Sequence, residues 1–312
     1  MITTLQKKVI NGGTLSREEA ILLSSAQLEP LCEAADQIRR HFCGNAFDMC
    51  SIINGKSGKC PEDCKYCAQS SHYSADTAVY PLLSTDEILR EAKANAADGI
   101  LRFSIVTSGN RLSNQEVEQV CDSFRKIRET CGISLCASMG LLSQKQFKML
   151  KSAGVVRYHN NLETSRRFFP HICTTHTYED KIQAIQDARE SGLTVCSGGI
   201  IGLGETMEDR IDMALTLRDL QIRSVPINVL NPIPGTPLEH NAPLSEDEIC
   251  RTAAIFRFLL PDSILRMAGG RGLMKDQGRR AFRSGANGAI TQNMLTTGGI
   301  AVHEDRQLAE EL

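Results

Sequence analysis

Three cysteines in the segment GKSGKCPEDCKYCAQSSHY, namely Cys60, Cys64 and Cys67, stand in a C-x3-C-x2-C spacing. Thiolates are the natural ligands of iron–sulfur clusters. Three of them on one short loop hold three irons of a cubane and leave the fourth iron open, as catalysis requires. A structural zinc site wants four ligands, commonly as paired C-x2-C knuckles, and no second knuckle follows here. The spacing also differs from the C-x-x-C of thioredoxin-like redox proteins. The triad therefore predicts a [4Fe–4S] cluster with a vacant corner.

The chain contains 12 cysteines in 312 residues. In a reducing compartment so many thiols point to metal or catalytic work rather than disulfides. Cys32, Cys121, Cys131 and Cys250 lie in or beside helix-like segments and read as small core residues. The formal net charge is −2, with no basic stripe for nucleic acid and no acidic tail. No apolar run approaches the roughly 18 residues that a membrane span needs. The opening MITTLQKKVINGG has no signal-peptide core, so a cytoplasmic location is expected.

The elements that must position the triad recur as a short apolar strand followed by a capped amphipathic helix. Helix starts are marked by pairs three residues apart: Ser84–Glu87, Ser113–Glu116, Ser143–Gln146 and Ser245–Glu248, with Thr177–Asp180 and Thr206–Asp209 as looser versions. Ser16–Glu19 opens an N-terminal helix. Candidate strands fall near 50–56, 101–107, 133–139, 155–160, 194–200, 224–230, 263–268 and 287–291. Eight strands alternating with helices predict an α/β fold, a complete (β/α)8 TIM-type barrel with an N-terminal helical extension; a doubly wound open sheet is the fallback. The whole of 1–312 is expected to form one domain, with N-terminal helices in 1–45, the barrel in 46–295 and a C-terminal tail in 296–312.

Alternation within the strands turns polar side chains toward the barrel axis. In SVPINVL, Val225, Ile227 and Val229 share one parity, and Ser224 and Asn228 the other. The same test groups Ser134, Cys136 and Ser138, pairs Thr194 with Cys196, and isolates Arg266 between Leu265 and Met267. An ordinary barrel fills its interior with branched apolar side chains. This one is expected to line it with thiols, hydroxyls, an amide and a guanidinium. Gly198, Gly199, Gly202 and Gly204 suggest a phosphate loop only weakly, since no Walker lysine follows.

The C-x3-C-x2-C loop after the first strand, with Tyr66 before its last cysteine, resembles the radical S-adenosylmethionine superfamily. That resemblance implies that the open iron chelates the amino and carboxylate groups of S-adenosylmethionine, and that one electron then yields a 5′-deoxyadenosyl radical. SIINGKSGKCPEDCKYCAQSSHY, YHNNLETS, TTHTYEDKI, VCSGGIIGLGET, SVPINVLNPIPGTPL and LRMAGGRG resemble, more narrowly, the biotin synthase family, over roughly residues 15–300. The family inserts sulfur into dethiobiotin to close the thiolane ring. By motif, Asn161 and Glu163 look like cofactor or substrate hydrogen-bonders, although the family usually has Asp at the second position. His159–Asn160 inverts the common Asn–His order. Lys181 takes the place of an arginine near the methionine carboxylate, so that a point charge replaces a fork. Ile200 and the turn after it resemble the adenine-binding segment, and Asn228 the residue that holds the ureido ring of dethiobiotin.

The resemblance also implies an auxiliary cluster deep in the barrel, usually a [2Fe–2S] held by three cysteines and an arginine, whose sulfide enters biotin. Cys136, Cys196 and Arg266 match three of those positions, whereas the fourth is Ser104, a poor substitute for a soft thiolate. Cys50 is the best replacement, followed by Cys173 and Cys43, and Gly288 leaves space where a serine is common. These changes resemble an anaerobe-type form of the family with a larger, four-iron auxiliary cluster carrying an extra sulfide. An interior Arg266 must meet an anion, since an unpaired buried charge costs about 3–5 kcal/mol. The resemblance further implies an electron donor of the flavodoxin or ferredoxin type and a homodimer. Alternatives are a related barrel that rearranges an amino acid or matures a hydrogenase, which would not need the Cys136, Cys196 and Arg266 set, or a non-catalytic iron–sulfur redox protein.

Overall fold

The structure, a computed structural model, describes residues 1–292 and 294–312. Helices α1 (Ile2–Ile10), α2 (Arg17–Ser24) and α3 (Leu28–Cys43) precede strand β1 (Asp48–Lys56). The cysteine loop follows, and then α4 (Thr85–Ala97), β2 (Arg102–Thr107), α5 (Asn114–Thr130), β3 (Ser134–Ser138), α6 (Gln144–Ser152) and β4 (Arg157–His159) alternate. Next come α7 (Tyr178–Glu190), β5 (Thr194–Cys196), β6 (Gly199–Ile201), α8 (Met207–Asp219) and β7 (Ser224–Val229). The chain ends with α9 (Glu246–Leu259), β8 (Ile264–Met267), α10 (Arg279–Arg283), β9 (Gly288–Ile290) and α11 (Val302–Glu310), the last lying in the expected tail.

Among the described residues all strand pairs are parallel, and nine strands run in the order β5-β4-β3-β2-β1-β9-β8-β7-β6. The α/β class stands. The count of eight does not, because candidate strand 194–200 is two strands that pair with different neighbours, β5 with β4 and β6 with β7. The physical cause lies in Gly198 and Gly199. A Cβ on Gly198 would stand 1.9 Å from the Pro226 carbonyl oxygen, and one on Gly199 would stand 2.4 Å from that of Glu163. Only bare backbone fits between both neighbours, and there the chain changes partner. The expected continuous ring is thus a curled sheet whose two edges are adjacent pieces of one segment.

Six of the seven helix-start pairs form complete capping boxes, including Thr177–Asp180 and Thr206–Asp209. Ser245 caps α9 on its own, because Glu248 turns instead to Arg210, 2.9 Å away. Phe103, Ile105, Leu135, Ala137, Tyr158, Val225, Ile227, Leu265 and Met267 project from the outer faces of their strands into a continuous core beneath the helices. Cys121 and Cys250 belong to that core, as expected of inert thiols. α3 packs on α9 and closes one side of the molecule. At the C-terminus, Asp305 of α11 meets Arg271 at 2.7 Å, both side chains buried. Among the described residues no helix is long and apolar enough to cross a membrane.

Asp209, fully buried at the start of α8, accepts hydrogen bonds from Ser165 Oγ (2.6 Å), Arg167 Nε (3.0 Å) and the Thr206 N–H (2.9 Å). This ties the segment after β4 to α8. Burial would push the carboxyl up, but these donors outweigh it and hold it down at about 2, against an ordinary 3.8. A depressed carboxyl contributes stability above its unfolded value and loses it as pH falls through the folded one. That contribution is about 2 kcal/mol. Asp209→Asn is expected to lose roughly this much in urea denaturation at neutral pH, and to flatten the acid limb of stability between about pH 4 and 2. A variant as stable as the parent across that range would contradict the assignment.

Candidate active site

Strand alternation and register together build an inward face of polar groups. Neighbouring strands place Cys50 beside Arg102, Ser104 beside Cys136, Cys136 beside Arg157, and His159 beside Cys196. Arg266 lies beside Pro226 on one flank and Gly288 on the other. These side chains line one cavity of about 400 Å³, whose mouth is formed by the cysteine loop. Cys60, Cys64, Cys67 and Tyr66 border that mouth, and Asn161, Glu163, Lys181, Ile200 and Asn228 line its walls. Apart from the reserve ligands Cys173 and Cys43, the residues singled out as catalytic, cofactor-binding or metal-ligating therefore meet in one cavity. Ser134 and Thr194 share the inward parity but lie at the far rim and do not reach it.

At the floor, the carboxylate of Asp48 accepts from Arg266 and, at 3.2 Å, from Arg102. Arg266 also donates to Ser224 Oγ (2.9 Å), which Arg157 approaches to 3.3 Å and which itself donates to the Cys196 sulfur at 3.3 Å. Arg266 is 2% exposed, and neither its Nε nor that of Arg102 has a partner; the buried Ser104 hydroxyl has none either. Burial pushes the Cys136 thiol up to about 12 and raises that of Cys50. Burial acts on Cys196 in the same direction, but it is outweighed by the hydrogen bond and charge of His159, by Arg266 and by Ser224, so this thiol falls to about 6. Soft donors beside three guanidinium groups and unpartnered N–H and O–H groups fit an anionic group with sulfide acceptors. Alternation read one or two residues further along these strands would have found Asp48, Arg102 and Arg157, which sequence reasoning passed over.

The mouth is held by carboxylates inside the loop itself. Glu62 accepts from Asn110 Nδ2 (2.7 Å), Thr175 Oγ1 (2.6 Å) and His176; Asp63 accepts from the N–H groups of Thr174 (2.8 Å) and Thr175 (3.2 Å). Burial pushes both carboxyls up and is outweighed by these donors, so both lie below the ordinary range. The loop is thus preformed, with Cys60, Cys64 and Cys67 presented from one turn. Their chemistry fits a cluster that needs three thiolates. Cys173, considered as an inner ligand, stands here instead, its sulfur 3.7 Å from that of Cys64. The hydrogen bond that Cys64 donates raises its own thiol and lowers that of Cys173. Cys43, the other reserve ligand, lies outside the cavity, 3.4 Å from Arg257. The sequence signal for Glu62 and His176 was present in C-P-E-D-C and T-T-H-T-Y but carried no partner information.

Several polar groups on the walls already have backbone partners. Asn228 donates to the Gly199 carbonyl (3.0 Å) and accepts from the Gly269 N–H (2.9 Å), which bridges β6 to the turn after β8. Asn161 accepts from the Gly198 N–H (3.0 Å) and donates to Glu163 (3.3 Å). Glu163 takes a left-handed φ of 70° and forms an isolated bridge with Gly199. Lys181 donates to Asn160 Oδ1 at 3.2 Å. Burial and the Glu163 carboxylate push the Tyr66 phenol well up, so it stays protonated. Tyr66, Phe168 and Ile200 join Ile172, Leu203 and Leu230 in a small apolar patch beside the mouth. In the following turn the Gly202 and Leu203 N–H groups are occupied by Glu205 (2.8 and 2.6 Å), which explains why these glycines form no phosphate loop.

Comparison with known proteins gives a consistent result. Residues 56–217 match the radical SAM superfamily, and residues 226–312 match the Biotin and Thiamin Synthesis associated domain. The biotin synthase of Akkermansia muciniphila is 58% identical over 312 residues, covering 100% of this chain and 97% of that protein. Those of Clostridium botulinum strain Hall and Brachyspira hyodysenteriae are 54% and 53% identical, covering 100% and 99% of this chain and 98% and 92% of theirs. Among solved structures, methylornithine synthase superposes with a TM-score of 0.85 at 19% identity over 98% of this chain and 96% of its own. A [FeFe]-hydrogenase maturase superposes with a TM-score of 0.81 at 18% identity over 93% and 68%. At those identities the two structures share the fold alone.

Removing the Asp48 carboxylate leaves two guanidinium groups without a counter-charge in the metal-free protein. Asp48→Asn is therefore expected to cost about 3–5 kcal/mol by chemical denaturation. A loss under about 1 kcal/mol, the size of a surface pair, would show that the floor is solvated rather than buried.

Proposed function

The chain belongs to the biotin synthase family of the radical S-adenosylmethionine superfamily, and from this premise we propose how its residues divide the family's reaction, the insertion of sulfur into dethiobiotin. The single observation that carries the assignment is that the triad at the mouth and the thiol–guanidinium floor face one cavity. Cys60, Cys64 and Cys67 would hold the [4Fe–4S] cluster. Cys136, Cys196 and Cys50 would hold the auxiliary cluster beside Arg266, either a [2Fe–2S] or a larger four-iron form with extra sulfide. When bound, these groups supply the electron that splits S-adenosylmethionine and the sulfide that enters the ring.

The protein's own contribution is orientation and exclusion of water. Lys181 offers a point charge for the methionine carboxylate. Asn161 and Glu163 offer hydrogen-bond acceptors and a donor along the cofactor. The apolar patch around Tyr66 and Ile200 suits the adenine face. Asn228, fixed at both ends of its amide by backbone, sets the edge against which the ureido ring would lie. Its second N–H and its remaining lone pair are the groups left to hold substrate. Arg266 neutralises negative charge at the floor and keeps its unpartnered Nε for an inner ligand.

A complete barrel remains our reading of the curled sheet. It is supported by a hydrogen bond from the Ser197 N–H to the Ser224 carbonyl (3.1 Å), which links the split segment to β7. The chain is read as one domain, in keeping with its continuous core. An electron donor of the flavodoxin or ferredoxin type, a homodimer and a cytoplasmic location follow from the family reading.

Anaerobic reconstitution with iron, sulfide, reductant, S-adenosylmethionine and dethiobiotin is expected to yield 5′-deoxyadenosine together with biotin. 5′-Deoxyadenosine without biotin would favour an amino-acid mutase or maturase reading; its absence would favour an electron carrier. In the same preparation, Cys50→Ala should lower iron and sulfide content while sparing the cluster at the mouth. Unchanged content would remove Cys50 from the ligand set.

A further inference from the structure

We propose that Cys64 and Cys173 form a modification site, a reversible disulfide that closes when the loop has lost its cluster to an oxidant. The inference rests on the reading of Cys64 as a cluster ligand. It extends to Cys173, which that reading leaves without a role. The sulfur atoms are 3.7 Å apart. Cys173 is 3% exposed, whereas Cys64 borders the cavity. The other two thiols of the loop are differently engaged: Cys60 meets the N–H groups of Glu62 and Gly109, and Cys67 those of Gln69 and Ser70.

The backbone around the pair is stapled. The Lys65 N–H donates to the Ile172 carbonyl at 3.0 Å, one residue from each sulfur. Asp63 holds the Thr174 and Thr175 N–H groups on the other side. The two segments are therefore held side by side at the pair of sulfurs, the close approach that a disulfide requires. Bond formation closes the 3.7 Å gap between the sulfurs by turning the side chains toward each other.

The chemistry balances with a peroxide as oxidant. The accessible Cys64 sulfur passes its hydrogen-bonded proton to Cys173 and attacks hydrogen peroxide as the thiolate; the O–O bond breaks, leaving sulfenic acid and a hydroxide that takes up a solvent proton as the first water. The Cys173 sulfur then displaces the hydroxyl of that sulfenic acid. The S–S bond forms and a second water leaves, carrying the Cys173 proton. Two electrons pass from sulfur to oxygen. A dithiol reductant reverses the step. With a cluster in place the Cys64 sulfur is engaged, so cluster and disulfide exclude one another. The consequence is protection: Cys64 stops at a reducible state instead of advancing to sulfinic acid, and the loop remains loadable.

The test compares cluster-loaded and chelator-stripped full-length protein, treated with hydrogen peroxide without air and digested with trypsin under non-reducing conditions. The stripped protein should give the peptide of residues 60–65 linked to that of 168–181, with fragmentation placing the bond at Cys64–Cys173. The loaded protein should give this link only as iron is released. Cys173→Ser and Cys173→Ala should give no link, accumulate sulfinic acid on Cys64, and after dithiothreitol and reloading lose the share of iron held at the mouth while keeping that of the floor. A Cys60–Cys64 or Cys64–Cys67 bond in the parent protein, or full reloading in both variants, would overturn the proposal. A parent protein that forms the Cys64–Cys173 link but never binds iron would sink the cluster reading and the protective role while supporting the modification site.

Discussion

The interior of this sheet carries more positive charge than it can neutralise. Arg102, Arg157 and Arg266 converge on a floor where Asp48 is the carboxylate in contact, and two of their Nε atoms are buried without partners. A buried guanidinium left unpaired is among the most destabilising things a fold can contain. A sheet interior filled with branched side chains would have been the stable alternative. The arrangement makes physical sense as a receptacle for an anion, and the thiols between the arginines suit the auxiliary iron–sulfur cluster proposed for it. Thiolates select iron and sulfide, and guanidinium groups neutralise and hydrogen-bond the product of that selection. The Cys196 thiol is depressed first by the hydrogen bond and charge of His159 and then by Arg266.

The rest of the molecule holds that strained floor in place. Outward-facing strand residues pack beneath capped helices and provide the apolar burial that the interior gives up. Gly198 and Gly199 let two backbones approach so closely that the fifth inward segment divides between neighbours. One piece directs Cys196 to the floor, and the other directs Ile200 to the apolar patch by the mouth. Glu205 fills the donors of the next turn, and Asp209 ties the preceding loop to α8. At the floor the Nε atoms of Arg102 and Arg266 and the Ser104 hydroxyl are left open, whereas the carboxylates that tie the surrounding loops are satisfied. That contrast separates structure from site.

Much of this was legible in the sequence, because strand alternation is a local rule. The inward placement of Cys136, Ser224, Asn228 and Arg266 follows from parity alone, and helix starts follow from side chains three residues apart. What the sequence could not show depends on register and partner choice. The split at Ser197 arises because two neighbours compete for one segment, which no local pattern encodes. Glu248 satisfies every local condition for a capping box and is drawn away by Arg210, a residue 38 positions earlier. Cys173 looked like a reserve ligand for the floor, yet the 172–176 segment is fastened to the cysteine loop by Glu62 and Asp63. Cys43 turned to Arg257 for the same reason: the third dimension chose its neighbour.

Under the proposed assignment the floor binds an iron–sulfur group independently of the loop at the mouth. The most direct measurement is the iron and acid-labile sulfide content of a reconstituted Cys60→Ala, Cys64→Ala, Cys67→Ala variant with native-like circular dichroism. The account predicts that this variant keeps part of the parent's iron together with sulfide, and loses both when Cys136 and Cys196 are also replaced. A folded triple variant free of iron would contradict it.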